Sequence, residues 1–198
     1  MSNEKSVSVY ERLWKLYIMV GKMIMDGVRD AEKVADALQA IVDEPVAVAK
    51  KYLRRLFETE KIVIGATDGT ETFKSSGLFT GGIYGVSVPA TVENPTSTQE
   101  TTVAVHEMVE DGNYQTLFVS LGKAGEQEYE QSQIVAFCRV HPDKLRKDGY
   151  GTFFRLKGGF VAGVDVDDDG RLRVYVRPFS NDFVWYARFA HRLVAPQL

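Results

Sequence analysis

The sequence predicts an α+β protein: an N-terminal three-helix segment with a small hairpin, followed by a mostly antiparallel β-sheet with one packed helix. Three observations lead there. Between residues 9 and 58, apolar side chains recur at helical spacing in three blocks separated by Gly27 and by Asp43-Glu44-Pro45. From Gly149 to Val194, Val, Phe, Tyr and Trp dominate in short runs broken by Gly, Asp and Pro, the grammar of strands and tight turns. Between the two, helical spacing returns over one stretch near residues 132–147. The implied division is a helical domain over 1–75 and a β-rich domain over 76–198.

The first helix is expected over Val9–Met25, where Tyr10, Leu13, Leu16, Tyr17, Val20, Met23 and Ile24 form one apolar face. Gly27 ends it. Asp30 is placed to cap the second, Ala31–Val42, because a short side-chain acceptor there satisfies backbone N–H groups that lack a partner inside the helix. Pro45 is pre-set for the first turn of a third helix, running to about Glu58 and burying Ala49, Tyr52, Leu53, Leu56 and Phe57. Its other face would carry Lys50, Lys51, Arg54 and Arg55. The following KIVIGATDGTETF reads as strand, Asp-Gly turn and strand. Three helices and a hairpin, with YLRRLFETEKIVIG at the junction, resemble a winged helix-turn-helix over about 45 residues. That resemblance implies DNA contact through the four basic residues, which a recognition helix would bring to phosphates and base edges. A solvated face on a small helical bundle would show the same charges.

Residues 75–85, SSGLFTGGIYG, read as a hinge or irregular strand; no Gly-Lys-Ser/Thr follows, so no phosphate-cradling loop is expected. Tyr84, Val86 and Val88 alternate as a strand, and TVENPTSTQE as a surface loop. A hairpin is expected next, with Glu110-Asp111-Gly112 as its loop, pairing Val105 with Leu117 and Val103 with Val119, and setting His106 opposite Thr116. Ile134, Val135, Phe137 and Cys138 then mark a helix from about Ser132 to His141, interrupted at Pro142 and lying across the sheet.

The last hairpin can be registered from side-chain parity. A two-residue loop would set arginines among core valines, whereas a three-residue loop, Asp168-Asp169-Gly170, gathers Phe160, Ala162, Val164 and Val166 with Leu172, Val174 and Val176 on one face. The other face then pairs Asp167 with Arg171, Asp165 with Arg173, Gly163 with Tyr175 and Val161 with Arg177. Gly170 falls where such a loop takes a left-handed residue. The stripe Arg171, Arg173, Tyr175 and Arg177, with Tyr150 and Trp185 as neighbours, mixes guanidinium and aromatic groups as single-strand nucleic-acid binders do. The paired aspartates offset two of the arginines, each pair contributing ~0.2–1 kcal/mol if exposed.

Composition is that of a folded soluble domain, 44% hydrophobic and 26% charged. The net charge of −3 denies the whole molecule the positive field that non-specific nucleic-acid binding requires, and the acid excess falls after residue 75. One cysteine, Cys138, allows no intramolecular disulfide, and no apolar run reaches membrane-spanning length, so a cytoplasmic protein without a membrane partner is expected. Asp165, Asp167, Asp169 and Gly170 match the front of an EF-hand loop, but position twelve is Val176 where a bidentate glutamate belongs. Cys138 and His141 have metal-ligand spacing without the further ligands zinc needs, and the cysteine sits among apolar residues, so neither a metal, a cofactor nor a Cys/His nucleophile is expected.

The C-terminal stretch resembles a group of uncharacterised bacterial proteins through Asp148-Gly149-Tyr150, Thr152-Phe153-Phe154, Val184-Trp185 and the closing Pro196-Gln197-Leu198. The resemblance implies a bacterial origin and carries no activity. The expected function is a non-enzymatic binding or regulatory protein, touching DNA through Lys50, Lys51, Arg54 and Arg55. The alternative is a protein–protein adaptor or self-assembling protein using the β-rich half. A metal-dependent or Cys/His enzyme has the least support.

Overall fold

A computed structural model of the chain describes residues 9–28, 30–42, 52–86 and 95–197. Two compact units divide it, residues 1–44 and 45–198.

In the first unit, helix α1 spans Val9–Met25 and α2 spans Ala31–Val42, as the spacing predicts. Gly27 adopts φ +68°, and the N–H groups of Gly27 and Val28 donate to the carbonyls of Ile24 and Met23, closing α1 with a left-handed residue. Asp30 Oδ1 accepts from the N–H groups of Glu32 and Lys33 at 2.9 and 3.2 Å, the expected cap on α2. Of the expected third helix, residues 43–51 lie outside the described residues; Tyr52 is helical, but Leu53–Leu56 is a strand, β1.

The second unit is an eight-stranded sheet. Its other strands are β2 (Ile62–Ile64), β3 (Gly82–Gly85), β4 (Thr101–Met108), β5 (Thr152–Leu156), β6 (Phe160–Val166), β7 (Leu172–Pro178) and β8 (Arg192–Pro196). The order is β1-β4-β8-β5-β6-β7-β3, with β2 also on β4. Among the described strand pairs only β3–β7 and β5–β8 run parallel, so the sheet is mostly antiparallel, as expected. The small wing-like hairpin does not form; β2 pairs with β4, bringing residues expected in a helical domain into the sheet. Leu53 and Leu56 are three apart and therefore point to opposite faces of a strand, where each is covered by a different part of the core. The same spacing imitates a helix.

The hairpin expected around Gly112 is also replaced. Asn113 Oδ1 accepts from the Thr116 N–H at 2.9 Å and caps a short helix, α3 (Tyr114–Val119), whose Tyr114, Leu117 and Phe118 are buried. Positions i, i+3 and i+4 serve a helix face as well as alternation serves a strand. His106 accordingly faces Arg55 and Leu193 in the ladders, not Thr116. A four-residue helix, α4 (Lys123–Glu126), follows.

Helix α5 spans Gln131–Val140 and packs Ile134, Val135, Phe137 and Cys138 on the sheet. Its cap lies at Glu130, in a reciprocal box with Gln133, and the expected cap Ser132 bonds instead to the Thr67 hydroxyl at 2.8 Å. The face under α5 takes Phe154, Ala162, Val164, Val174, Val176 and Val194. The opposite face takes Phe153, Val161 and Leu193 with α3. The β6–β7 hairpin has the predicted register, Asp165 against Arg173 and Gly163 against Tyr175, with Gly170 at φ +77°.

Candidate functional site

On the α3 side of the sheet the two layers do not close completely, leaving a cavity of about 310 Å³. Its floor follows from strand parity: Phe153, Gly163 and Tyr175 are register partners across β5, β6 and β7. A side chain at Gly163 would occupy that floor, since a Cβ there would come 3.3 Å from the Phe153 ring. Tyr175 closes this part of the lining. It stacks on Tyr84 of β3, ring centroids 4.8 Å apart and planes 19° from parallel. Phe153 carries the other wall, stacked on His191 at 5.2 Å and meeting Trp185 at 4.7 Å and Tyr114 edge-on at 5.2 Å.

Charged groups enter from β6 and β7. Arg173 Nε donates to Asp165 Oδ1 at 2.7 Å, and both line the cavity. Burial pushes the Asp165 carboxyl above its ordinary range, while the hydrogen bond to that carboxyl pushes Arg173 up, as a paired guanidinium should go. The loop before β3 clamps the Arg173 stem: Gly81 donates to the Leu172 carbonyl at 2.9 Å, and a Cβ on Gly81 would come 2.6 Å from Arg173 Cγ. Arg177 has no carboxylate partner among the described residues; its guanidinium lies 5.7 Å from the Trp185 ring centroid.

His191 is 4% exposed, and burial holds its pKa down at about 4. Its Nδ1 accepts from the Gly151 N–H at 3.1 Å, so in the neutral ring the proton sits on Nε2, which is a donor. Burial likewise drives the Tyr114 phenol far above its ordinary range. The indole Nε1 of Trp185 is buried without a hydrogen-bond partner.

Of the residues singled out in the sequence, Arg173, Tyr175 and Arg177 come together here with Trp185. Arg171 stays at the hairpin tip, bound to Asp167 at 3.1 Å and Asp169 at 2.8 Å. Tyr150 stacks on Phe189 at 4.9 Å and meets His191 edge-on, one ring behind the wall. Tyr114, Phe153, His191 and the lining glycines Gly149, Gly151 and Gly163 were not singled out as a group; only the parity of Gly163 against Tyr175 hinted at them. Of the basic set, Lys50 and Lys51 lie outside the described residues, and Arg54 and Arg55 are consecutive on strand β1 rather than on a helix face, with Arg54 bound to Glu107 of β4. The EF-hand-like carboxylates Asp165 and Asp167 are turned to arginines. Cys138 is buried and its thiol pushed up by burial, while His141 Nε2 lies 2.8 Å from the Val63 carbonyl. No group of three or more His, Cys, Asp or Glu side chains among the described residues could hold a metal ion, and no described helix is long and apolar enough to cross a membrane.

Comparison of the chain with protein-family models, with curated proteins and with solved structures gives no match.

Proposed function

We propose that the chain is a non-enzymatic binding protein whose β-rich unit holds a small molecule in the cavity over Gly163. The observation that carries this reading is the pairing of aromatic walls with donor groups that no acceptor among the described residues uses: the buried Trp185 Nε1 and the Arg177 guanidinium. Binding sites are typically concave and mostly apolar with a few convergent polar groups, and about 310 Å³ is at the small end of that range. A buried polar group without a partner costs ~1–3 kcal/mol, which a ligand bringing an acceptor would recover. The titratable groups favour binding over catalysis. Tyr114 is held protonated, His191 presents a donor edge in place of a base, and Asp165 is held by Arg173.

The test uses Trp185 as its own reporter, in a Trp14→Phe background that removes the second indole. A panel of planar fragments should produce saturable changes in Trp185 emission, abolished by Gly163→Leu, which fills the floor. Tyr175→Ala, at a half-buried ring, supplies the same readout should the leucine disturb folding. A panel without saturable response, or responses that survive both substitutions, would overturn the reading.

A further inference from the structure

We propose that the ligand of this cavity is a small aromatic monocarboxylate, its ring held between the Phe153–Trp185 wall and Tyr175 and its carboxylate on Arg177. This rests on the binding reading above and adds the class of ligand. Charge and hydrogen-bonding capacity in the lining select that class. The lining contains two guanidinium groups, Arg173 and Arg177, against one carboxylate, Asp165. Asp165 is engaged by Arg173 at 2.7 Å, leaving one positive charge without a counterpart.

Donors are in excess as well. Among the described residues the Arg177 guanidinium makes no hydrogen bond and Trp185 Nε1 has no partner, while His191 has its proton on the edge away from Gly151. An indole N–H and a guanidinium can only donate, so a ligand satisfying them must accept. A carboxylate does so with a geometry that matches the guanidinium fork, and a desolvated site among four aromatic rings strengthens the pair. A single uncompensated charge matches a monoanion; a phosphate dianion would leave negative charge beside Asp165. The planar walls select the rest of the molecule. Tyr175 stacks on Tyr84 at 4.8 Å, and Phe153 on His191 at 5.2 Å, so the orientation of each ring is fixed by a neighbour.

Titration calorimetry on the full chain with 2-naphthoate and its neutral isostere 2-naphthamide tests this directly. The acid should bind at least tenfold more tightly than the amide, and Arg177→Met should remove that preference while moving amide affinity less than threefold. The wild-type comparison needs no variant, so the outcome does not depend on how Arg177→Met folds. Equal affinities for acid and amide, both lost in Gly163→Leu, would overturn the ligand class and leave the cavity reading standing. Tighter binding of phenyl phosphate than of 2-naphthoate would overturn the monoanion assignment. Absence of binding by either naphthyl compound at millimolar concentration would overturn the class, and the fragment panel then decides the reading beneath it.

Discussion

Strands β6 and β7 present two faces made by the same fourteen residues and put to different uses. Toward α5 they offer Ala162, Val164, Val174 and Val176, all fully buried and sealed by Phe137, Phe154 and Cys138. Toward α3 the intervening positions are Gly163, Asp165, Arg173, Tyr175 and Arg177, and the layers stand apart there by a cavity. Alternation alone separates them, since successive strand residues point to opposite sides. One face is a core packed to exclusion; the other keeps space, charge and a buried neutral histidine, none of which stability calls for. A polar lining inside a fold costs free energy unless something pairs with it, so the second face is where binding is to be sought.

The sharpest way to break this contrast is to truncate neighbouring phenylalanines on opposite faces. Phe154 is fully buried and meets Phe137 and Tyr129 edge-on at 5.2 and 6.0 Å. Phe154→Ala is expected to cost ~3–5 kcal/mol, the transfer term plus an unfilled hole. Phe153→Ala, opening into space that already exists, should fall at or below the bottom of that range. Denaturant unfolding of both variants checks the order, and a larger loss at Phe153 would mean that the α3 face is the principal core.

How much of this could be read from residues alone depended on how far apart the contacts lie in the chain. The β6–β7 register was legible because its partners are joined by three residues and because the wrong register would bury arginines among valines. The caps at Gly27 and Asp30 were legible for the same reason of locality. The expected third helix is overturned only from LRRL onward, where two leucines serve opposite faces of an edge strand and so fall at helical spacing. The Gly112 turn failed because Asn113 offers a cap and Tyr114, Leu117 and Phe118 fit a helix face equally well. The cavity was legible in part: Arg173, Tyr175 and Arg177 share a strand face, while Tyr114, Phe153 and His191 arrive from elements up to 77 residues apart, a juxtaposition that no local pattern encodes.

A pH titration of stability should expose the cost of the polar face. Burial holds His191 at about 4 in the folded protein against an ordinary 6.5, and His106 is held down to about 4 in the same way. Between those values the unfolded chain binds protons that the folded protein refuses. Stability is therefore complete above pH 6.5 and falls as pH is lowered toward 4. One such histidine accounts for about 3 kcal/mol across the window. His191→Phe should reduce the slope of unfolding free energy against pH by up to one proton there, leaving the His106 contribution. An unchanged slope would mean that His191 is protonated in the folded state.

The smallest effect in the series comes from enlarging one small residue on each face, by two carbons at Ala162 and by one at Gly163. Ala162 is fully buried, with Phe154 and Val176 as its register partners, so Ala162→Val must push against packed neighbours and is expected to cost ~1–3 kcal/mol. Gly163 sits next to it on the open side, where an added Cβ would come 3.3 Å from the Phe153 ring. Gly163 does not have a positive φ, so alanine introduces no backbone strain and gains the strand preference that glycine lacks. The Phe153 ring need yield only a few tenths of an ångström, and the cavity gives it somewhere to go. Gly163→Ala should change stability by less than ~1 kcal/mol while narrowing the floor enough to weaken any ligand that lies on it. Thermal unfolding of the two variants, run with fragment binding to Gly163→Ala, separates packing from occupancy at adjacent residues. A cost at Gly163 equal to that at Ala162 would mean that the cavity walls are as rigid as the core behind them.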